Sequence, residues 1–242
     1  MNIKTRILFG VLLLEVAGCA ALLWYNYSSS KVALESIREN QIETIMSENR
    51  HRIDSLTQLM EKKVVELARV GEHFYELHQQ SQSLSIDSFI IEYLKGSFKN
   101  FPESIGGGLW YEPYVFDEKL KYYGPYVFWN AKKELEFTWD LSNETYNYPD
   151  QSWYLIALPK NLSRLKGADQ SIYWTDPYID EAGSKELMMT VDAFMYSQKG
   201  EIIGLSTVDW SLKEMTEFIR KIHLTDSTHT FLIDERTHSL VG

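Results

Sequence analysis

Cysteine is almost absent: Cys19 is the only one in 242 residues. An intramolecular disulfide and a cysteine-based metal site are therefore excluded. Positive charge is also scarce, with 24 Lys and Arg against 34 Asp and Glu and a formal net charge of −10. A nucleic-acid surface needs clustered Lys and Arg, so that class of partner is excluded as well. The chain has no glycine-rich phosphate loop, no G-x-S-x-G and no H-E-x-x-H, the signatures of the commoner phosphoryl-transfer, hydrolase and zinc chemistries. His73 and His78 stand five apart and miss the i, i+4 spacing that puts two imidazoles on one helix face. Glu112 and Asp117 have the residue types of a glycosidase pair, but in so acidic a chain a solvated loop is the simpler account. No catalytic residue, metal or cofactor is expected.

What is present begins with an apolar run, residues 7–27 (ILFGVLLLEVAGCAALLWYNY), preceded by Lys4 and Arg6. As a helix it spans about 30 Å, one bilayer core. The preceding positive charge sets residues 1–6 in the cytoplasm, and Trp24 and Tyr25 suit the outer interface. Glu15 opposes insertion by about 3 kcal/mol, whereas the Leu, Ile, Val and Phe residues of the run favour it by roughly 3–6 kcal/mol. Insertion wins. The rival is a lipoprotein signal, because Val16-Ala17-Gly18-Cys19 resembles a lipobox. The run stays hydrophobic for eight residues beyond Cys19, where a processed lipoprotein turns polar. A single span in a bacterial inner membrane is expected, with everything after residue 28 outside the cytoplasm.

Residues 28–80 hold no proline, and apolar residues recur at helical spacing. Ile42, Ile45, Ile53, Leu56, Met60, Val64, Leu67, Val70, Phe74 and Leu77 trace a seam of about 3.5 residues, with Asn49 completing it. Such a seam packs on its own domain or on a second subunit, and a homodimer is expected. Ser81–Ser88 is a polar break, with a helix cap at Ser85 or Asp87 and a shorter helix following to Phe98. Strands are expected at Gly107–Tyr111, Tyr126–Trp129, Glu136–Thr138, Ile172–Trp174, Glu186–Tyr196 and Ile202–Asp209, punctuated by turn residues. A helix at Leu212–His223 and a strand at Thr228–Asp234 come last. A long helix, an antiparallel sheet of about five strands and a return helix make an α+β plan.

Four segments in order, Tyr146 to Tyr154, Trp174-Thr-Asp-Pro-Tyr178-Ile-Asp180, Leu187-Met-Met-Thr190 and Gly200 to Asp209, resemble the double Cache (PAS-like) family of extracytoplasmic sensor domains. Gly107-Gly-Leu-Trp110-Tyr-Glu-Pro-Tyr-Val-Phe-Asp117 is similar to the first sheet strand of that family. The resemblance implies a membrane-distal PAS-like lobe at 81–224 that binds a small ligand and signals through the membrane. It also implies that 225–242, with Thr230-Phe-Leu-Ile-Asp234, open a membrane-proximal lobe of a longer receptor. The output domain of such a receptor is of histidine kinase, diguanylate cyclase, phosphatase or chemoreceptor type. A lipid-anchored solute-binding protein is the alternative.

In amino-acid-binding members the resemblance implies a site reading Y-x4-R-x-W-Y, then a Tyr and two Asp. Tyr146, Trp153 and Tyr154 match by spacing, and Tyr178, Asp180 and Asp209 match by order. Gln151 stands at the arginine position. Arg grips a carboxylate bidentately, whereas Gln offers a neutral amide, so the expected ligand is cationic or zwitterionic and is held by its amine. A carboxylate facing an aromatic wall suits an ammonium group. Each candidate has a plainer reading. Asp209 can cap the helix near Leu212, Asp180 can be a turn residue before Glu181-Ala-Gly183, and Trp153 can be core. Tyr154 and Tyr178, with polar tips, fit a pocket better.

Overall fold

The computed structural model describes residues 2–81, 86–163, 172–180, 185–222, 231 and 233. The chain divides into two units, Met1–Arg52 and Ile53–Gly242. Helix α1, Ile3–Gln80, contributes its first part to one unit and the remainder to the other. In the first unit it is long and apolar enough to cross a membrane, by length and composition. Leu14, Leu23 and Trp24 project outward there, exposed, as lipid-facing side chains must.

In the second unit, α1 is followed by α2 (Asp87–Lys99), β1 (Gly106–Tyr111), β2 (Tyr126–Trp129) and β3 (Leu135–Thr138). A 3-10 turn at Tyr148–Asp150 leads into the short α3 (Ser152–Ala157). Then come β4 (Ile172–Trp174), β5 (Tyr178–Ile179), β6 (Leu187–Tyr196), β7 (Ile202–Ser211) and α4 (Leu212–Arg220). The strands form one antiparallel sheet in the order β3-β2-β1-β7-β6-β4, with β5 also paired to β6.

Alternation along the strands divides the core in two. One face sends Leu109, Tyr111, Val191, Ala193 and Val208 against Met60, Val64, Leu67 and Phe74 of α1 and Ile90, Leu94 and Phe98 of α2. Burying each of the Val, Leu, Ile, Met and Phe side chains among them contributes roughly 1.5–3 kcal/mol. Gly71 lets α1 lie close: a Cβ there would fall 2.2 Å from the Met195 sulfur. The contact is also polar, because the Tyr111 hydroxyl donates to the Gly71 carbonyl at 2.8 Å and Ser206 Oγ donates to that of Val64 at 2.8 Å. The opposite face carries Trp110, Phe194 and Leu205, covered by Tyr148, Trp153 and Tyr154 of the 3-10 turn and α3.

The strands expected at Tyr126–Trp129 and Ile172–Trp174 form over those residues, and the other four shift by one or two. Among the described residues the sheet has seven strands rather than about five. β5, with two residues, is too short to carry a period, and six-residue α3 offers only one and a half turns. The expected cap at Asp87 does not form. Ile86 occupies the N-cap without a side-chain bond, and Asp87 accepts instead from the Tyr123 hydroxyl at 2.6 Å. Ser85, His223 and most of Thr228–Asp234 lie outside the described residues. Of the seam on α1, Met60, Val64, Leu67 and Phe74 are buried against the chain's own sheet, whereas Leu77 is exposed.

Candidate functional site

The sheet face under α3 carries a line of polar side chains on otherwise apolar strands. Thr190 of β6 sits opposite Asp209 of β7, and Asp209 sits opposite Gly106 of β1. One Asp209 oxygen accepts from the Tyr126 hydroxyl at 2.7 Å, and the other accepts from Thr190 Oγ1 at 2.7 Å. Tyr178 Oη lies 2.7 Å from Thr190 Oγ1. Thr190 has one hydroxyl hydrogen and gives it to Asp209, so Tyr178 is the donor in that contact. The result is a directional relay, Tyr178 to Thr190 to Asp209, with Tyr126 donating from the other side.

Asp209 is 3% exposed. Burial pushes its carboxyl up to about 6, against the opposing pull of the Thr190 and Tyr126 hydrogen bonds, while the Asp180 charge adds to the rise. The phenols of Tyr126 and Tyr178 are pushed well above their ordinary range, first by burial and then by the Asp209 charge. Tyr146 rises to about 12, mainly through burial. These phenols therefore remain donors at any physiological pH, whereas the Asp209 carboxyl can change its charge near pH 6.

Around this carboxylate lies a cavity of about 20 Å³, room for about one water. Trp110, Tyr126, Tyr146, Trp153 and Tyr178 supply its aromatic wall, and Asp180, Thr190, Thr207 and Asp209 its polar groups. No Lys, Arg or His is among the described residues that line it. The Trp110 indole is fixed by donation to Thr207 Oγ1 at 2.9 Å, and its ring lies 4.9 Å from that of Trp153. The Trp153 indole in turn donates to the Tyr146 hydroxyl at 3.2 Å. An acidic group in an aromatic box can hold a cation by a charge-assisted hydrogen bond and by attraction to the ring faces.

Five of the seven residues singled out from the sequence line this cavity: Tyr146, Trp153, Tyr178, Asp180 and Asp209. Gln151 does not; its side-chain amide donates to the Tyr146 carbonyl at 2.5 Å and ties the loop ahead of α3. Tyr154 does not either. It packs in the core under α3 and donates to Glu112 Oε1 at 2.5 Å, so Glu112 is no freely solvated loop residue. Asp209 is not a helix cap, because it sits inside β7 with both oxygens taken by side-chain hydroxyls. The Asp180 carbonyl accepts from Lys185 N at 3.0 Å and Asp180 is a buried cavity residue, while Glu181-Ala-Gly183, where a turn was expected, lies outside the described residues. Trp153 is both core and wall. Trp110, Tyr126, Thr190 and Thr207 were not singled out as ligand contacts, although Trp110, Thr190 and Thr207 lie inside the motifs that carried the family resemblance.

Residues 90–217 match the profile of the first PDC sensor domain of methyl-accepting chemotaxis protein-like receptors. The chain belongs to this family. The PDC domain's PAS-like sheet and long helix recur in solved structures. The extracellular domain of the histidine kinase mmHK1S-Z3 is 18% identical, with a TM-score of 0.56 over 76% of this chain and 62% of that one. The ligand-binding domain of the Pseudomonas aeruginosa PAO1 amino-acid chemoreceptor PctC, in complex with GABA, is 18% identical, with a TM-score of 0.50 over 81% and 71%. A Campylobacter jejuni chemoreceptor domain in complex with L-norvaline is 20% identical, with a TM-score of 0.48 over 86% and 69%. The chain thus spans less than two thirds of the first of these domains. No curated protein matches it.

Proposed function

We propose that this sensor domain binds a small molecule through a protonated amine, with Asp209 as counter-charge, and passes the event to α1 of a bacterial inner-membrane receptor. The observation that carries the reading is Asp209 itself. A carboxylate on a central strand is unfavourable to bury, yet it stands at the wall of an aromatic cavity whose described lining includes no basic side chain. Family membership favours a sensor over a lipid-anchored solute carrier. GABA, bound by the Pseudomonas domain, carries both an amine and a carboxylate. The amine is the group this cavity's chemistry receives.

The cavity's size bears on the mechanism. A ligand of several heavy atoms cannot enter about 20 Å³ unless the wall formed by α3 and the Tyr146 loop moves outward. Ligand affinity that differs between closed and open forms is what a sensor needs to shift a population. The sheet holding Asp209 is bonded through Ser206 and Tyr111 to α1, which offers a path from wall to helix. Residues 7–27 serve as the span, and pairing of two copies along the Ile42, Ile45 and Asn49 stretch completes the receptor. Calorimetric titration with monoamines, amino acids and carboxylates tests the ligand class. Amines should bind wild-type protein, and Asp209→Asn should weaken them by a factor of roughly thirty or more. Binding restricted to anions or uncharged molecules would overturn the amine reading.

A further inference from the structure

Asp192 of β6 is fully buried, and among the described residues neither of its carboxylate oxygens has a hydrogen-bond partner. It lies on the cavity face of the sheet, two residues from Thr190 on the same strand and directly opposite Thr207, which lines the cavity. Asp209 is the diagonal neighbour on β7, at a separation of about 7–8 Å for such pairs. Burial and the charge of Asp209 push the Asp192 carboxyl well above the ordinary carboxylate range. A buried carboxyl without donors is the kind of group native proteins avoid unless something arrives to pair with it.

Asp209 already receives two hydroxyl donors, whereas Asp192 receives none. The two acids share one face and are close enough for the charge of one to disfavour ionisation of the other. A single ammonium group at Asp209 leaves Asp192 unsatisfied. A second cation on the same molecule would satisfy it and relieve the repulsion together.

We infer that Asp192 receives a second cationic group of the ligand, so that the preferred occupant is a diamine with about four carbons between its nitrogens rather than a monoamine. The inference rests on the amine reading above and refines it. Asp192 is thereby a specificity residue, setting diamine against monoamine, while Asp209 serves both.

Calorimetry on the full chain in detergent, titrated with 1,4-diaminobutane and with n-butylamine, tests this. Wild-type protein should bind the diamine at least about thirtyfold more tightly, the loss expected when one member of a buried charge pair is missing. Asp192→Asn should bring that ratio close to one, and Asp192→Thr, smaller and favoured in strands, should do the same if the asparagine variant folds poorly. Asp209→Asn should weaken both ligands. A wild-type ratio near one with n-butylamine still bound, or a ratio that survives loss of Asp192, overturns the inference and leaves the amine reading standing. Binding of neither amine overturns the inference, and the amine reading falls with it when amino acids do not bind either.

Discussion

The hydroxyl of Tyr126 reaches the carboxylate of Asp209, 2.7 Å away, across a strand that separates their own. The strand between them is β1, and at the crossing point it carries Gly106, which pairs with Phe128 on one side and Asp209 on the other. A Cβ on Gly106 would fall 2.7 Å from the Tyr126 oxygen and 2.7 Å from the Val127 carbonyl. The missing side chain is what makes room for the bond.

Gly106→Ala should therefore destabilise the domain by about 1–3 kcal/mol, the range for overpacking a fitted core. Tyr126→Phe removes the donor without adding bulk. Its cost should be about 1.5–3 kcal/mol at neutral pH, the range for a hydrogen bond to a charged group, and smaller at pH 5, where Asp209 is largely protonated. Chemical denaturation of each variant at both pH values measures this, and equal cost of Tyr126→Phe at the two would separate the bond from the charge.

Asp209 makes stability depend on pH. Its folded value of about 6 lies above that of an unfolded aspartate, about 3.9. Below the lower value the group is protonated in both states and contributes no penalty. Between the two the folded state holds the extra proton, so stability falls as pH rises, and above about 6 the loss is complete. The shift corresponds to about 3 kcal/mol. Asp209→Asn abolishes this dependence, so the variant should gain about that much relative to wild type between pH 4 and pH 7.5. Denaturation curves at the two pH values read the difference directly.

Under the proposed amine reading, the same proton governs binding of a monoamine. An ammonium ligand requires the ionised carboxylate, so its dissociation constant should be flat above pH 6. Below pH 6 it should rise about tenfold per unit, with uptake of a proton when the ligand leaves. Calorimetry in buffers of different ionisation enthalpy counts that proton. A flat profile from pH 4.5 to 7.5 would remove Asp209 from the binding step.

Part of the seam on α1 packs in the chain's own core, and pairing of two copies is proposed for another part. Met60, Val64 and Leu67 are buried in the chain's own core, so single cysteines there should not cross-link between copies once Cys19 is replaced. Cysteines at Ile42, Ile45 and Asn49 should cross-link with helical periodicity in native membranes, if two copies pair there. Uniform absence of cross-links over residues 40–60 would exclude pairing along this stretch.

Local pattern was enough to locate the longer elements, but not the two-residue β5 or the six-residue α3. The apolar run at 7–27, the 3.5-residue seam, and the strands at Tyr126–Trp129 and Ile172–Trp174 were legible because helix and strand periods are properties of neighbouring residues. Asp209 also stood out, as a charge ending an apolar stretch. Which side chains meet around it was decided only by tertiary structure. Thr190 and Asp209 are brought opposite each other by the β6–β7 register, and Tyr126 reaches Asp209 from 83 residues away. Gln151 and Tyr154 fit the family spacing, yet they turn to the Tyr146 carbonyl and to Glu112. Strand alternation names the two faces of a strand but not the partner each face will meet. A one-residue change of register reverses every side chain, and that register is set by pairings between segments far apart in the chain. Asp192 is the plainest case: in sequence it is an aspartate between Val191 and Ala193, and the folded sheet makes it a buried acid beside the cavity.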